Sequence, residues 1–534
     1  MARLAPLLVA GGAFALSAAF AHAQTSQPGP SPYAGPAPFA APAAQATLRG
    51  ALEAARARNL TRAREIQARL PDPVARRIVD WALADIFGPQ LGEAELHHLS
   101  ASLLEWPRAD ARRQAIAAQL PKGPIPYSAL GSSSASGGGG FNQRRRRMND
   151  ALRIGDASGA YQAIAAHGMA PGGVDYAEAE SFAGWLALNK LKNPSLALQH
   201  FTRLDAAVKS PVSKARAAYW QGLAAEALGQ RERARAFFEA GAQHNTTFYG
   251  QLAAERAGHR EIVLTPDPTP TPAERAAFES KELIQALTLL GAAGERELVR
   301  VFALHLGEQV ESRAELALLV DKLKAMGEQE VSLLAYRRGA QKGFILHERG
   351  YPLRTPPAGA RDVEPALVLS IVRQESQFDP RVRSSADARG MMQLLPGTGR
   401  EVARKIGVAW DESLLWDPDH NMRLGTAYLG QLVGRFSGSY VLATAGYNAG
   451  PGRPAQWVQF CSDPRASGSD PIDFLECIPF SETRTYVSNV MSNLQIYRAR
   501  LNGGRAPLTL SRDLRRGAWS ATAASAGASA TGAP

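Results

Sequence analysis

Residues 365–393, PALVLSIVRQESQFDPRVRSSADARGMMQ, decide how the rest of the chain is read. Ala366, Leu367, Val368, Leu369, Ile371 and Val372 leave so few polar positions that a helix over 365–374 must bury most of its faces. Glu375 stands at the C-terminal end of that helix. Low dielectric, the negative end of the helix macrodipole and a scarcity of water all disfavour a carboxylate there, so its pKa is expected to rise. A carboxyl kept protonated near neutral pH is a general acid. The alternative is a surface glutamate paired with Arg373 or Arg381, because structural ion pairs also perturb pKa values.

The residues after Glu375 read as one wall of a cleft. Pro380 stops the helix after Ser376-Gln377-Phe378-Asp379, and a polar segment of small residues runs from Ser384 to Arg389. Gly390 lets backbone approach closely, while Met391, Met392 and Gln393 offer adaptable apolar surface and an amide.

Two further stretches stand in order behind this one, AGYNAGPGR at 445–453 and IPFSETRTYV at 478–487. Together with E-S-Q-F-D-P at 375–380, Ser384 and G-M-M-Q at 390–393, they resemble the soluble lytic murein transglycosylases, lysozyme-like enzymes that cleave peptidoglycan and carry an N-terminal helical superhelix. The resemblance implies that Glu375 protonates the glycosidic oxygen of a MurNAc-GlcNAc β-1,4 bond. As a base it would then draw the proton from the muramyl C6 hydroxyl, leaving a 1,6-anhydro-MurNAc end. It implies that no metal or cofactor is required. By position, Ser384, Met392 and Gln393 would contact sugar near Glu375, Tyr447 would face it across the cleft, and Asn448 and Gly450 would shape the floor. Glu482 matches a position near the cleft, although Ser481 and Arg484 around it suit helix capping equally, and Tyr447 could be a core aromatic. The chain departs from the pattern at Ala386-Asp387-Ala388, where Ala-Gly-Ala is common, and at Met391, where Leu is common. The added charge of Asp387 puts the pKa of Glu375 in question, not its identity.

A glycosidase ordinarily needs two carboxyl groups, ~5–5.5 Å or ~6.5–9.5 Å apart. Asp379 and Asp387 lie close in sequence but in polar segments expected to be open, and Glu482 belongs to a distant motif. A mechanism with a single acid fits. A hydrolase of the same fold would use Asp379 or Asp387 to position water. A non-catalytic glycan-binding scaffold would have no use for Glu375.

At 534 residues the chain is too long for one core, and 45% hydrophobic with 20% charged residues is a globular balance. The formal charge of +11 suits a polyanion without naming it. Residues 1–23 read as a signal peptide, with Arg3, an alanine-rich apolar run and Ala21-His22-Ala23 before Gln24, so the expected location is periplasmic. No other stretch is apolar enough for an integral membrane anchor. Cys461 and Cys477, the two cysteines, are expected to form a disulfide in an exported protein, closing 15 intervening residues. Expected partners are peptidoglycan glycan strands and proteins of cell-wall synthesis or remodelling, with no nucleic acid.

The expected fold is mainly all-α, an α-solenoid followed by a lysozyme-like catalytic domain. Residues 24–44 form a disordered Pro/Ala-rich linker. Residues 45–353 form the superhelical region, on the strength of an aromatic, small, aromatic rhythm near a period of 35. That rhythm runs from Trp185, Ala197 and Phe201 to Trp220, Ala234 and Phe238. An irregular bundle is the alternative. The region is interrupted by a flexible loop at 131–147, carrying Arg144 to Arg147, and by an extended break at PDPTPTP, 266–272. Residues 354–503 form the catalytic domain, with a capping box at Thr398-Gly399-Arg400-Glu401, and 504–534 form a disordered tail.

Overall fold

The computed structural model describes residues 42–113, 138–357 and 363–517. The leader 1–23 and residues 24–41 of the expected linker lie outside the described residues, while 42–44, expected to be disordered, open helix Pro42–Arg56. The fold is mainly α-helical. Two short strands, Glu261–Val263 and Arg505–Pro507, pair antiparallel with Ile262 opposite Ala506. Among the described residues no helix is long and apolar enough to cross a membrane.

The chain divides into two compact units. One is built from residues 42–113 and 266–350, the other from 138–265 and 351–517, so the unit boundary falls at the start of PDPTPTP. In the first unit, Trp81 and Trp106 both pack edge-on against Phe302, at 5.1 and 5.6 Å between ring centres. Glu295 and Glu328 occupy equivalent places one hairpin apart. Each is buried and takes an arginine, Glu295 from Arg56 at the end of helix Pro42–Arg56 and Glu328 from Arg296 in the preceding hairpin.

The second unit repeats one packing device. A Cβ on Gly184 would meet the Phe201 ring at 2.4 Å, and one on Gly222 would meet Phe238 at 2.3 Å, so in each helix pair glycine makes room for the partner's phenylalanine. Ala197 lies thirteen positions after Gly184, but Ala234 only twelve after Gly222. The extra residue is absorbed by a π-turn at Leu186–Lys190, which continues helix Val174–Trp185. The turn has a further consequence. Trp185, Asn189 and Lys190 all bond the Asp473 carboxylate, Trp185 at 2.7 Å and Lys190 at 3.2 Å. These helices are thereby fastened to the segment that holds the cysteines.

The lysozyme-like part is centred on helix Pro365–Glu375, in which Ala366 through Arg373 are all buried, packed along the closing helix Ser481–Leu501. Helix Tyr440–Ala449 packs on the closing helix as well, and helix Pro418–Arg435 packs on Tyr440–Ala449.

Three further expectations need correction. Helix Pro396–Ile406 starts two residues before Thr398, because Pro396 supplies a preset first turn, so there is no capping box at 398–401. Of the loop expected at 131–147, residues 131–137 lie outside the described residues and 138–147 belong to helix Gly138–Arg153. Phe141, Arg145 and Met148, spaced at helical intervals, give that helix a buried face, and tertiary packing overrides its glycines. Residues 504–517, expected to be part of a disordered tail, form strand Arg505–Pro507 and helix Leu510–Leu514. Leu508, Leu510 and Leu514 anchor them, and Asp513 is buried in the Arg498 guanidinium's reach.

Candidate active site

Glu375 ends its helix, and the backbone behind it is strained. Gln377 and Phe378 both adopt left-handed conformations, φ +53° and +65°, at about 1 to 3 kcal/mol for each non-glycine residue. Side chains hold the turn in place. Ser376 Oγ donates to Met391 O at 2.7 Å, and the Gln377 amide donates to Arg373 O. The turn leaves the Glu375 carboxyl among buried side chains with one part still open, as an acid that must reach a ligand requires. Burial pushes its pKa up to about 7. The Tyr486 hydroxyl, which donates to Oε1, opposes that rise, and the charge of Glu482 adds to it.

Neither nearby aspartate is available as a second catalytic carboxyl. Asp379 is buried, not open as expected, and its oxygens take the backbone N–H, Nε and Nη2 of Arg381 at 2.7–2.9 Å. Asp387 accepts from Arg389 through both oxygens at 2.9 Å and from Arg383 at 2.6 Å; the Arg389 hydrogen bonds come first in holding it down to about 2. The added charge of the Ala-Asp-Ala loop is therefore taken up by two arginines. Glu482, not Asp387, is the acid that acts on Glu375.

Other expected residues divide between cleft and scaffold. Tyr447 donates to Met392 O at 2.8 Å, its ring lies 5.4 Å from Tyr428, and the charge of Glu375 helps raise its pKa behind burial. Asn448 Oδ1 accepts from Thr483 Oγ1 at 2.7 Å, which ties AGYNAG to FSETR. Ser384 Oγ accepts from Ala388 N at 2.9 Å and so braces its own loop. Gln393 turns its amide N–H groups onto Val382 O and Gly390 O, at 2.8 and 2.9 Å. Met392 is 0% exposed against Gly425 and Thr426, so its side chain is core and only its backbone carbonyl serves the site, through Tyr447. Glu482 is exposed on the first turn of the closing helix, where Ser481 makes no side-chain cap. Cys461 and Cys477 form a disulfide, Cα atoms 5.5 Å apart.

Two residues carry more than their sequence setting suggests. Tyr486 reads as one apolar position among several on the closing helix, yet its hydroxyl is the direct partner of Glu375. Asn421, 0% exposed, accepts from Met392 N at 2.8 Å and donates to Arg389 O and Leu415 O at 2.8 and 2.9 Å. The one available signal was an amide inside the otherwise ordinary helix start DPDHNMRLG. Gly390 completes this corner: φ is +76°, and a Cβ would sit 2.2 Å from Leu415 O.

Fold and site together define a lysozyme-like domain with a raised-pKa carboxyl, Glu375, at the end of its central helix, preceded by arrays of helical hairpins. Residues 356–464 match the transglycosylase SLT domain family, so the chain carries that domain, and residues 477–505, here the closing helix, match the soluble lytic transglycosylase helical domain. A soluble lytic murein transglycosylase of Salmonella typhimurium is 29% identical over 297 residues, covering 52% of this chain and 43% of the relative. A putative soluble lytic murein transglycosylase of Haemophilus influenzae is 41% identical over 133 residues, covering 24% and 22%. The chain thus spans less than half the length of these relatives. The lytic transglycosylase Slt of Pseudomonas aeruginosa shares the fold with a TM-score of 0.54 at 23% identity, over 87% of this chain and 74% of that one. The 70 kDa soluble lytic transglycosylase of Escherichia coli does so with a TM-score of 0.52 at 21% identity, over 89% and 75%.

Proposed function

We propose that this protein is a peptidoglycan lytic transglycosylase. Glu375 protonates the oxygen of a MurNAc-GlcNAc β-1,4 bond, then as carboxylate takes the proton of the muramyl C6 hydroxyl as that oxygen closes on C1. Glu375 is regenerated, a 1,6-anhydro-MurNAc end forms, and no water is consumed. The observation that carries the proposal is the pairing of a carboxyl raised to about 7 with the engagement of both neighbouring aspartates by arginines. A group with pKa near the working pH serves as acid and base in turn. A hydrolase of this fold that used Asp379 or Asp387 would need that carboxylate free to orient water, and arginines occupy both.

In this reading Ser384, Gln393, Tyr447, Asn448 and Glu482 line the substrate's path, and Met392 contributes only through its backbone. Glycan strands are the substrate. Cell-wall synthesis or remodelling proteins are the expected recruiting partners. Residues 1–23 direct export, which places the protein in the periplasm, where the Cys461–Cys477 pair would stay oxidised. The proposed division of labour has the helical region, residues 45–353, placing long glycans and the domain 354–503 carrying the chemistry. The test is mass spectrometry of digested sacculi: anhydro-muramyl products support the proposal, and reducing muramic ends indicate the hydrolase.

A further inference from the structure

The four-arginine run does not behave as a solvated face. Arg146 and Arg147 are exposed, but Arg145 is 9% exposed and donates Nη2 to Pro479 O at 3.0 Å. Pro479 lies immediately before Phe480, whose carbonyl accepts from Arg484 N in the first turn of the closing helix. Two guanidiniums stand over the Phe182 ring, Arg145 at 5.4 Å and Arg484 at 4.7 Å from its centre. Arg484 pairs with Glu178; Arg216 bridges Glu178 and Glu476 at 2.8 and 2.7 Å; Tyr249 donates to Glu476.

This cluster fastens a short stretch at several points. Glu476, Pro479 and Arg484 are held by residues 145, 178, 216 and 249, and Cys477 is held by its disulfide. Two residues after Arg484 comes Tyr486, whose hydroxyl meets Glu375, and two before it comes Glu482. The groups that tune Glu375 therefore sit on a segment whose position is set from outside the 354–503 domain.

Arg145 is not held by an ion pair of its own. Among the described residues three guanidiniums face two carboxylates, Arg145 has no carboxylate within bonding reach, and its Nε is buried without a hydrogen-bond partner. Burial, with Arg484 close by, pulls its pKa down to about 10. A buried cation in that condition is a cost, and an apolar residue of similar length there is expected to be neutral or stabilising. Position is what it supplies.

We propose that Arg145 is a positioning residue for the active site, acting through the Pro479–Tyr486 segment to hold the Tyr486 hydroxyl on Glu375. This rests on the catalytic reading of Glu375. The test is Arg145→Met in the full chain, with Arg145→Lys, Tyr486→Phe and the double variant Arg145→Met/Tyr486→Phe, assayed on sacculi across pH, with thermal melts alongside.

With the segment loosened, kcat of Arg145→Met should fall about tenfold, since an ångström of misplacement can cost about a hundredfold, while KM stays within about twofold. Its melting temperature should match or exceed the parent's. Loss of the Tyr486 hydrogen bond should move the basic limb of its kcat–pH profile upward, toward that of Tyr486→Phe. In the Tyr486→Phe background the Arg145→Met change should move that limb no further, because residues that act through one contact are not additive. Arg145→Lys, able to donate to Pro479 O, should recover part of the loss. A folded Arg145→Met with the parent's kcat and pH profile would overturn the proposal, as would a limb shift that simply adds to that of Tyr486→Phe. Should Arg145→Met fail to fold, an Arg145→Lys variant with the parent's melt that neither lowers kcat nor moves the limb would equally overturn it. A parent that does not cleave sacculi at all would instead overturn the catalytic reading.

Discussion

Replacing Tyr486 by phenylalanine removes one hydroxyl from Glu375 and leaves the buried ring, so it isolates the contact that opposes the rise in the acid's pKa. A hydrogen bond to a charged group contributes about 1.5–3 kcal/mol. At about 1.4 kcal/mol per pKa unit, its full loss would raise Glu375 by about 1 to 2 units. The carboxyl is part-open, water can replace some of the lost bond, and a rise of about one unit from about 7 is expected. The direction follows from what the bond stabilises: Tyr486 favours the carboxylate, so its loss favours the acid form that the first step needs. The assay is kcat against pH for release of soluble muropeptides. With an acid of pKa about 7, the parent at pH 8 keeps about a tenth of its maximum, whereas an acid of pKa about 8 keeps about half. A basic limb that stays put or moves down in folded Tyr486→Phe would refute the assignment of this hydroxyl.

Three other outcomes are expected on the same grounds. Glu375→Gln abolishes cleavage and changes stability with pH: the folded pKa lies above the unfolded one, so ionisation costs the parent stability as pH rises from about 4.5 to 7, by about 1–3 kcal/mol after allowance for its open side. The variant should therefore melt at the parent's temperature near pH 4 and several degrees above it at pH 8, and equal differences at both pH values would contradict the pKa. Gly390→Ala forces a Cβ to 2.2 Å from Leu415 O and 2.5 Å from Asn421 at φ +76°, and should destabilise the lysozyme-like domain by about 3 kcal/mol or more in chemical denaturation, while an unchanged midpoint would show that this corner yields easily. Reducing the Cys461–Cys477 bond opens a loop of 15 intervening residues and should cost about 3 kcal/mol; free-thiol titration of denatured, non-reduced protein should find no thiol.

The helix Pro365–Glu375 was legible because an almost unbroken apolar run of that length can only be buried, and the rise in the pKa of its last carboxyl follows from burial. The three motifs around it were legible as a pattern of residue types. What each side chain does within them was not. Met392 and Gln393 look equally suited to touching a ligand, but whether a side chain faces cleft or core depends on the left-handed turns at Asp387, Gly390 and Gln393, which no periodicity reports. Tyr486 resembled its apolar neighbours because a helical stripe marks a face, not the polar atom at the end of one member. Arg145 was hidden inside four identical residues. Only the burial of Phe141 and Met148 selects which of the four turns inward, and its acceptor lies 334 residues away. Helix Gly138–Arg153 itself defeats propensity, since glycine and charge argue for a loop and packing decides otherwise.

The central claim is that one carboxyl, Glu375, performs both proton transfers with the sugar as its own nucleophile, and it is tested most directly by digesting purified sacculi in water enriched in oxygen-18 and weighing the muropeptides. The account predicts products that lack the elements of water and carry no label, from the parent protein only and none from a folded Glu375→Gln variant. Muramic ends gaining the mass of labelled water, or label-free anhydro products released at the parent's rate by Glu375→Gln, would contradict it.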